Sequence, residues 1–325
     1  MPRFPISDDM EEVKQNLCQS RAGAGWAPDV VIGRVIARGA NSTVFRAGIV
    51  QDSDGESPLG RVASEGEYVV RIPRHGSDTT SVDMAVAEYA HCLVASEHKI
   101  GPHIQDAFYA RHTTRQQRKG LNLLMERLGV TLEDAMLSET YDEDERERLG
   151  KLVDETVSEM ARVGVFHFDL KPQNVMLNVD ETRACVIDFG CEFCQHVRTE
   201  HPGPHVMGAD LLPLDLLPPW VVEDAACTAR ILKATMFLVL SAVADCVLVD
   251  AAKDLKREDT ETRRARNPIR SRTMEATSGL TVCEVRVVRD VLRHTSVKET
   301  LRHYCGARKA CLRRLWSAAT GAGVS

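Results

Sequence analysis

The chain has 325 residues, 43% of them hydrophobic, 27% charged and 5% aromatic, with a net charge of −6. That apolar share excludes wholesale disorder, and the length suits one large domain or two small lobes. No collagen-like, coiled-coil or longer repeat period is present.

Residues 1–27 are polar and mixed and read as an arm. The opening MPRFPISDDMEEVKQ has no apolar stretch after a basic start, so no signal peptide is expected. Val30–Ala37 is apolar and β-branched, Gly39-Ala40-Asn41-Ser42 interrupts it, and Thr43–Val50 resumes the pattern. This is a hairpin signal with a tip of small residues. The Gly-, Ser-, Asp- and Glu-rich stretch 51–66 reads as a loop, and Glu67–Pro73 as a third strand. Ser81–Glu97 has helical spacing, with Met84, Ala87, Ala90 or His91, and Val94 on one face, and Gly101-Pro102 ends it. Ile104–Arg111 and Leu121–Leu128 complete a first part of five strands and one helix.

Beyond this point the pattern turns helical. Thr131 followed by Asp134 fits a helix-starting cap. Asp142–Gly164 carries the stripe Leu149, Leu152, Val153, Val157 and Met160, with acids crowding its first turn. Val175–Leu177 and Ala184–Ile187 read as short strands, and Glu223–Ala252 as a long buried helix. Its apolar core, near Ala234–Val249, contains Asp245 and falls short of the roughly 18 apolar residues of a spanning helix, so no membrane span is expected. An intracellular soluble protein, of cytoplasm or nucleus, is the default. Residues 253–279 are charged and turn-rich, the best place for a loop or insert. Cys283–Tyr304 and Ala307–Ala318 read as helices.

Charge is uneven. Residues 251–325 hold 17 Lys and Arg against 8 Asp and Glu, a balance of +9, which leaves −15 on the rest. The ordinary reading of this basic region is a solvated helical face, so nucleic acid is not the expected partner. The ten cysteines are scattered and suggest no disulfide framework; the one CxxC, Cys191 to Cys194, lacks a second ligand pair at zinc spacing.

The most specific signal is His167-Phe168-Asp169-Leu170-Lys171-Pro172-Gln173-Asn174, followed fourteen residues after Asn174 by Asp188-Phe189-Gly190. The pair resembles the catalytic loop HRDLKPxN and the DFG turn of eukaryotic-type protein kinases. The resemblance implies a bilobal kinase-like α+β fold, with a small five-stranded N-lobe at 28–127 and a mainly helical C-lobe at 128–325. It implies ATP and Mg²⁺ as cofactors. Asp169 would take or orient the proton of the attacking hydroxyl, and Lys171 would sit on the transferred phosphoryl group. Asn174 and Asp188 would hold the metal, a hard ion suited by oxygen ligands. The Lys171-Pro172 pair is similar to the serine/threonine-directed form of the loop.

Upstream, Ala37-Arg38-Gly39-Ala40-Asn41-Ser42-Thr43-Val44 is similar to the glycine-rich phosphate loop, with only the middle Gly39 kept and Ala37 and Ser42 in the outer glycine places. The added Cβ atoms restrict close approach of phosphate. Val44 would cover the adenine. The third-strand lysine of the family falls on Arg71, and no lysine lies between Lys14 and Lys99 to replace it. Arginine keeps the charge but not the shape. Glu88, on the predicted helix, is its expected ion-pair partner. Met125 would border the adenine pocket, and Glu126 and Leu128 would offer backbone groups to the adenine edge.

Departures follow the DFG turn. No Ala-Pro-Glu occurs, and Asp210 or Asp215 stands as a candidate for the missing acid. Asp224 could be the helix-capping acid that, by the resemblance, anchors the catalytic loop. Phe168 replaces the arginine that reads a phosphorylated activation loop, which argues against that mode of switching. Three readings stay open: phosphoryl transfer from ATP to Ser or Thr hydroxyls of proteins, a catalytically weak kinase-fold scaffold, and a small-molecule or sugar kinase. The first has the intact set of Asp169, Lys171, Asn174 and Asp188 behind it. The second draws on Arg71 and the thinned glycine loop.

Overall fold

The β-branched runs pair into one antiparallel sheet in a computed structural model. It describes residues 30–39, 42–51, 61–62, 67–73, 82–110, 120–190, 194–196, 216–255, 266–293, 297 and 301–303. The chain divides into two compact units, Met1–Leu128 and Gly129–Ser325. The sequence readings for 1–27, for 307–318 and for Asp210 and Asp215 lie outside the described residues.

In the first unit the strands are β1 (Val30–Arg38), β2 (Ser42–Gln51), a two-residue β3 (Arg61–Val62), β4 (Tyr68–Pro73), β5 (Ile104–Ala110) and β6 (Gly120–Glu126). Their order is β1-β2-β4-β6-β5, with β3 against β2. Val70 and Leu124 are buried with Ala47 on one patch of this sheet. Leu123, Ala107 and Ile104 pack with Tyr89 of helix α1 (Val82–Glu97) on another. The described buried residues of α1 are Tyr89 and Ala95, with Cys92 and Leu93 packed alongside. Of the expected face, Ala90, His91 and Val94 are half-buried, and Met84 and Ala87 lie outside the described side chains; Tyr89, which that face left out, is the bulkiest buried side chain described on the helix. The helix ends as expected before Gly101. Lys99 takes a left-handed φ of 57°, and the amides of Ile100 and Gly101 both donate to the Ala95 carbonyl.

The second unit is mainly helical. Its elements are β7 (Leu128–Thr131), α2 (Leu132–Leu137), α3 (Glu143–Arg162), β8 (Val165–His167), β9 (Val175–Asn178), β10 (Ala184–Val186), β11 (Cys194–His196), α4 (Pro219–Val222), α5 (Ala225–Leu255), α6 (Arg270–Ser278) and α7 (Val282–Leu292). Thr131 caps α2 as the sequence suggests, accepting from the Asp134 amide at 3.0 Å. Asp142 and Glu145 form a reciprocal capping box at the start of α3. The buried side of α3 includes Leu149, Val153, Val157 and Met160. The molecule is thus α+β, with a five-strand sheet in its first part and a helical second part, as a kinase-like fold requires.

Helix α5 is the spine of this unit. Its residues Ala225–Ala251 are long and apolar enough to cross a bilayer, more than the expected apolar run, yet 83% of the most apolar window is buried inside the protein. The covering elements are α2, α3, α4, α6 and α7. Asp245, the one acid in that run, accepts from the Asn267 side chain at 2.9 Å, so its burial is compensated.

The stretch 253–279 is not a simple loop. Helix α5 continues to Leu255, and α6 forms at Arg270–Ser278. Three anchors explain this despite the charged composition. Ile269 is fully buried. Thr273 donates to the Ile269 carbonyl at 2.8 Å and to the Phe237 carbonyl at 3.3 Å. Arg272 forms an ion pair with Glu147 of α3. The segment before α6 also lies close on α3, where a Cβ at Gly150 would come 2.5 Å from the Pro268 carbonyl oxygen. Helix α7 stops at Leu292, and residues 297 and 301–303 are again helical, so the helix expected over Cys283–Tyr304 is interrupted after Leu292.

A buried acid ties α7 to α5. Glu284 accepts from Arg230 Nη2 at 2.7 Å, from Cys227 Sγ at 3.3 Å and from the Thr281 amide at 2.7 Å. Burial alone would raise its pKa; the Thr281 and Arg230 donors outweigh burial and hold it at about 2. The same carboxylate, together with burial, pushes the Cys227 thiol up to about 11.

Two outcomes are expected. Gly150→Ala forfeits the close approach to Pro268 and costs about 1–3 kcal/mol, although alanine is the better helix former by about 1 kcal/mol. A thermal melt with unchanged or raised midpoint would contradict this. Because Glu284 is depressed in the folded state, its stabilisation is fully present above about pH 4.5 and fades as pH falls toward 2. Glu284→Gln therefore loses roughly 2–3 kcal/mol near neutral pH, and the gap to wild type narrows on acidification. Denaturant titrations giving the same gap at neutral and acid pH would refute the assignment.

Candidate active site

The catalytic-loop residues are gathered by a short irregular turn between two pairs of strands. Strand β8 pairs with β11, placing Cys194 opposite His167. The chain then runs through Asp169 into a single 3₁₀ turn at Pro172–Asn174, which Pro172 opens, and enters β9. Strand β9 pairs with β10, Val175 opposite Val186. The Ile187 amide donates to the Asn174 carbonyl at 2.9 Å, which fastens the residue before Asp188 to the end of the 167–174 loop.

Within this frame Asp169 is 5% exposed and its carboxylate meets Lys171 Nζ at 2.6 Å. Asn174 Nδ2 donates to the Asp169 carbonyl at 3.1 Å and lies 3.4 Å from its Oδ2. A buried carboxylate needs such partners, because desolvation otherwise drives it to the neutral acid. With Nδ2 committed to Asp169, the amide oxygen of Asn174 is the atom left for a ligand. Asp188 is exposed and holds a left-handed φ of 66°, a costly conformation for a residue other than glycine.

His167 supports that strained turn. It is fully buried, and its Nε2–H donates to the Asp188 carbonyl at 3.1 Å, while Nδ1 has no partner. Burial pushes its pKa below the ordinary value, against the pull of the Asp169 and Asp188 carboxylates, so the ring is neutral with its proton on Nε2. Phe189 stacks edge-on against it with centroids 5.8 Å apart. Phe168 is buried beside Phe166, 6.1 Å between centroids, so an apolar pocket occupies the place of the family's arginine. Beside the loop, Gln173 Nε2 donates to Glu133 of α2, whose pKa burial raises.

Asp224 is the helix-capping acid that the sequence suggests. Its carboxylate accepts from the Ala226 and Cys227 amides at 2.9 and 3.1 Å, capping α5. Among the described residues it makes no bond to the catalytic loop.

In the first unit, Arg71 Nη1 meets Glu88 Oε1 at 2.6 Å, the ion pair expected from the sequence. Its Nε also donates to Ser42 Oγ at 3.2 Å, a contact the sequence reading did not foresee. Val44 lies opposite Arg71 on β4 and opposite Ala37 on β1. The Gly39 amide donates to the Ser42 carbonyl at 2.9 Å. Among the described residues, a Cβ on Gly39 would meet only Ser42, at an ordinary 3.7 Å. Met125 packs against the Tyr89 cluster. The Glu126 amide donates to the His103 carbonyl, and its carboxylate accepts from the His103 amide at 3.0 Å. Leu128 starts β7.

The donor set suits a hard divalent cation completed by phosphate. Asn174 and Asp188 offer only oxygen, and no group of three or more His, Cys, Asp or Glu able to hold a metal exists among the described residues. A magnesium-type ion bound by one carboxylate, an amide oxygen and phosphates needs no such cage.

Residues 102–198 match the lipopolysaccharide kinase (Kdo/WaaP) family. No curated protein matches the chain. The matched stretch runs from β5 through β11 and contains the whole 167–174 loop and Asp188. The chain is therefore similar, over residues 102–198, to a family of kinases, enzymes that use ATP and as a rule a divalent metal. The match does not single out the eukaryotic-type protein kinases that the loop motif resembles.

One consequence is spectroscopic. In long-range ¹⁵N–¹H spectra His167 should remain neutral with its proton on Nε2 as pH falls through about 6.5, the ordinary histidine value. Conversion to imidazolium at that pH would contradict the buried hydrogen bond to Asp188.

Proposed function

We propose that the chain transfers the γ-phosphoryl group of ATP to Ser or Thr hydroxyls of protein substrates. The observation that carries this reading is the buried Asp169 carboxylate in contact with Lys171 and Asn174 inside one turn. An acid of this kind is poised to accept a proton from a hydroxyl, and the adjacent ammonium to offset charge on a phosphoryl group. In the proposed step the acceptor oxygen forms the new bond to phosphorus, the bond to the β–γ bridging oxygen breaks, and ADP leaves. The hydroxyl proton passes to Asp169. Asn174 and Asp188 would hold Mg²⁺, which when bound neutralises phosphate charge. Within the first unit, Arg71, paired with Glu88, and Ala37, Gly39 and Ser42 are the candidates for phosphate contact. Val44, Met125, Glu126 and Leu128 would border the adenine. ATP as donor fits an intracellular, soluble protein.

The serine/threonine assignment leans on Lys171-Pro172 and the complete Asp188-Phe189-Gly190. A second reading has its own support: the matched family acts on lipopolysaccharide, so the acceptor would be a sugar hydroxyl. The transfer chemistry is the same for either.

The test is γ-phosphate transfer by the full chain to a generic protein acceptor and, in parallel, to lipopolysaccharide. Label on Ser and Thr of the protein supports the first reading, and label on the saccharide the second. Asp169→Asn should lower turnover by about 10²–10⁴-fold while leaving ATP affinity within about twofold. Transfer undiminished in this variant would remove Asp169 from the mechanism.

A further inference from the structure

We propose that Ser42 is a positioning residue that makes arginine workable at position 71, so that Ser42, Arg71 and Glu88 act as one phosphate-binding set. The inference rests on the nucleotide-binding reading above and concerns the first unit alone.

The strand register brings these residues together. On β2 and β4, Val44 stands opposite Arg71 and Ser42 opposite Pro73. Ser42 and Val44 are two residues apart, so they share a face, and Ser42 is the diagonal neighbour of Arg71. A long side chain reaches a diagonal neighbour, and the Arg71 guanidinium does so with Nε, 3.2 Å from Ser42 Oγ. Its Nη1 turns to Glu88 Oε1 at 2.6 Å. Two contacts on two different nitrogens fix the plane of a rigid fork, which a contact at one nitrogen cannot do.

The chemistry of the partner matters. Ser42 stands in a place where the resembled loop has glycine, which offers no side-chain acceptor. A second carboxylate there would orient the fork equally well but would cancel its charge toward phosphate. A hydroxyl accepts the hydrogen bond and adds no charge of its own to the set. The ion pair is sheltered, with 20% and 19% of the two side chains exposed, so orientation is not averaged away by water. Lysine has no second nitrogen to hold, and a glycine in place of Ser42 suits it. The two departures from the family pattern therefore compensate one another.

Calorimetric titration of the full chain with ATP and with adenosine tests this. The proteins are wild type, Ser42→Gly, Ser42→Thr, Arg71→Lys and the double variant Ser42→Gly with Arg71→Lys. Ser42→Gly should weaken ATP by roughly 3- to 10-fold, the scale of one hydrogen bond, and leave adenosine unchanged. Ser42→Thr keeps the hydroxyl and should restore ATP affinity. In the Arg71→Lys background Ser42→Gly should cost nothing. Equal loss of ATP and adenosine, an equal cost in both backgrounds, or failure of threonine to restore affinity would each overturn the inference. Wild-type protein that binds neither ATP nor adenosine would instead overturn the nucleotide reading, and this inference with it.

Discussion

A carboxylate taken out of water is the constraint around which the second unit is arranged. Asp169 is almost wholly buried, and an isolated charge there would cost several kcal/mol. Lys171 and Asn174 answer that cost within the same turn. The turn in turn needs support on both sides, from β8 with β11 and from β9 with β10. Neutral His167 closes the arrangement by holding the Asp188 carbonyl in a backbone conformation that asparagine or glycine would adopt more readily.

The first unit meets a different demand, to present a cation from a sheet. A guanidinium stands where the resembled family uses an amine. It brings more donors and a fixed shape, which makes its orientation a problem that lysine does not pose. The Ser42 hydroxyl on the neighbouring strand and Glu88 on α1 address that problem together. Arg71 is thus better described as part of a rebuilt local set than as a damaged lysine.

Much of this was legible in the sequence, for physical reasons. Phosphoryl-transfer chemistry demands particular residue types at short fixed spacings, so Asp169, Lys171, Asn174 and Asp188 could be singled out together as candidates, and the structure brings Asp169, Lys171 and Asn174 into contact. The Arg71–Glu88 pair followed from a strand and a helix that each had a clear period. What escaped depended on tertiary contact. The bond from Arg71 to Ser42 needs the strand register, and nothing in a linear pattern marks a diagonal pair. Helix α6 hides in a charged stretch because single anchors, Ile269, Thr273 and Arg272, outweigh poor local propensity. The expected face of α1 left out Tyr89, because spacing alone does not weigh the area a side chain removes from water. Asp224 is an acid at a helix start, and composition cannot tell a local cap from an anchor for a distant loop.

The central claim is that the acids of the second unit hold a metal and a nucleotide phosphate for transfer. A crystal structure of the full chain grown with Mn²⁺ and a non-hydrolysable ATP analogue tests it most directly. The account predicts an anomalous manganese peak bound by the Asn174 side-chain oxygen and the Asp188 carboxylate, with Lys171 directed at the terminal phosphate. Manganese bound elsewhere, or a nucleotide whose phosphates make no contact with these residues, would contradict it.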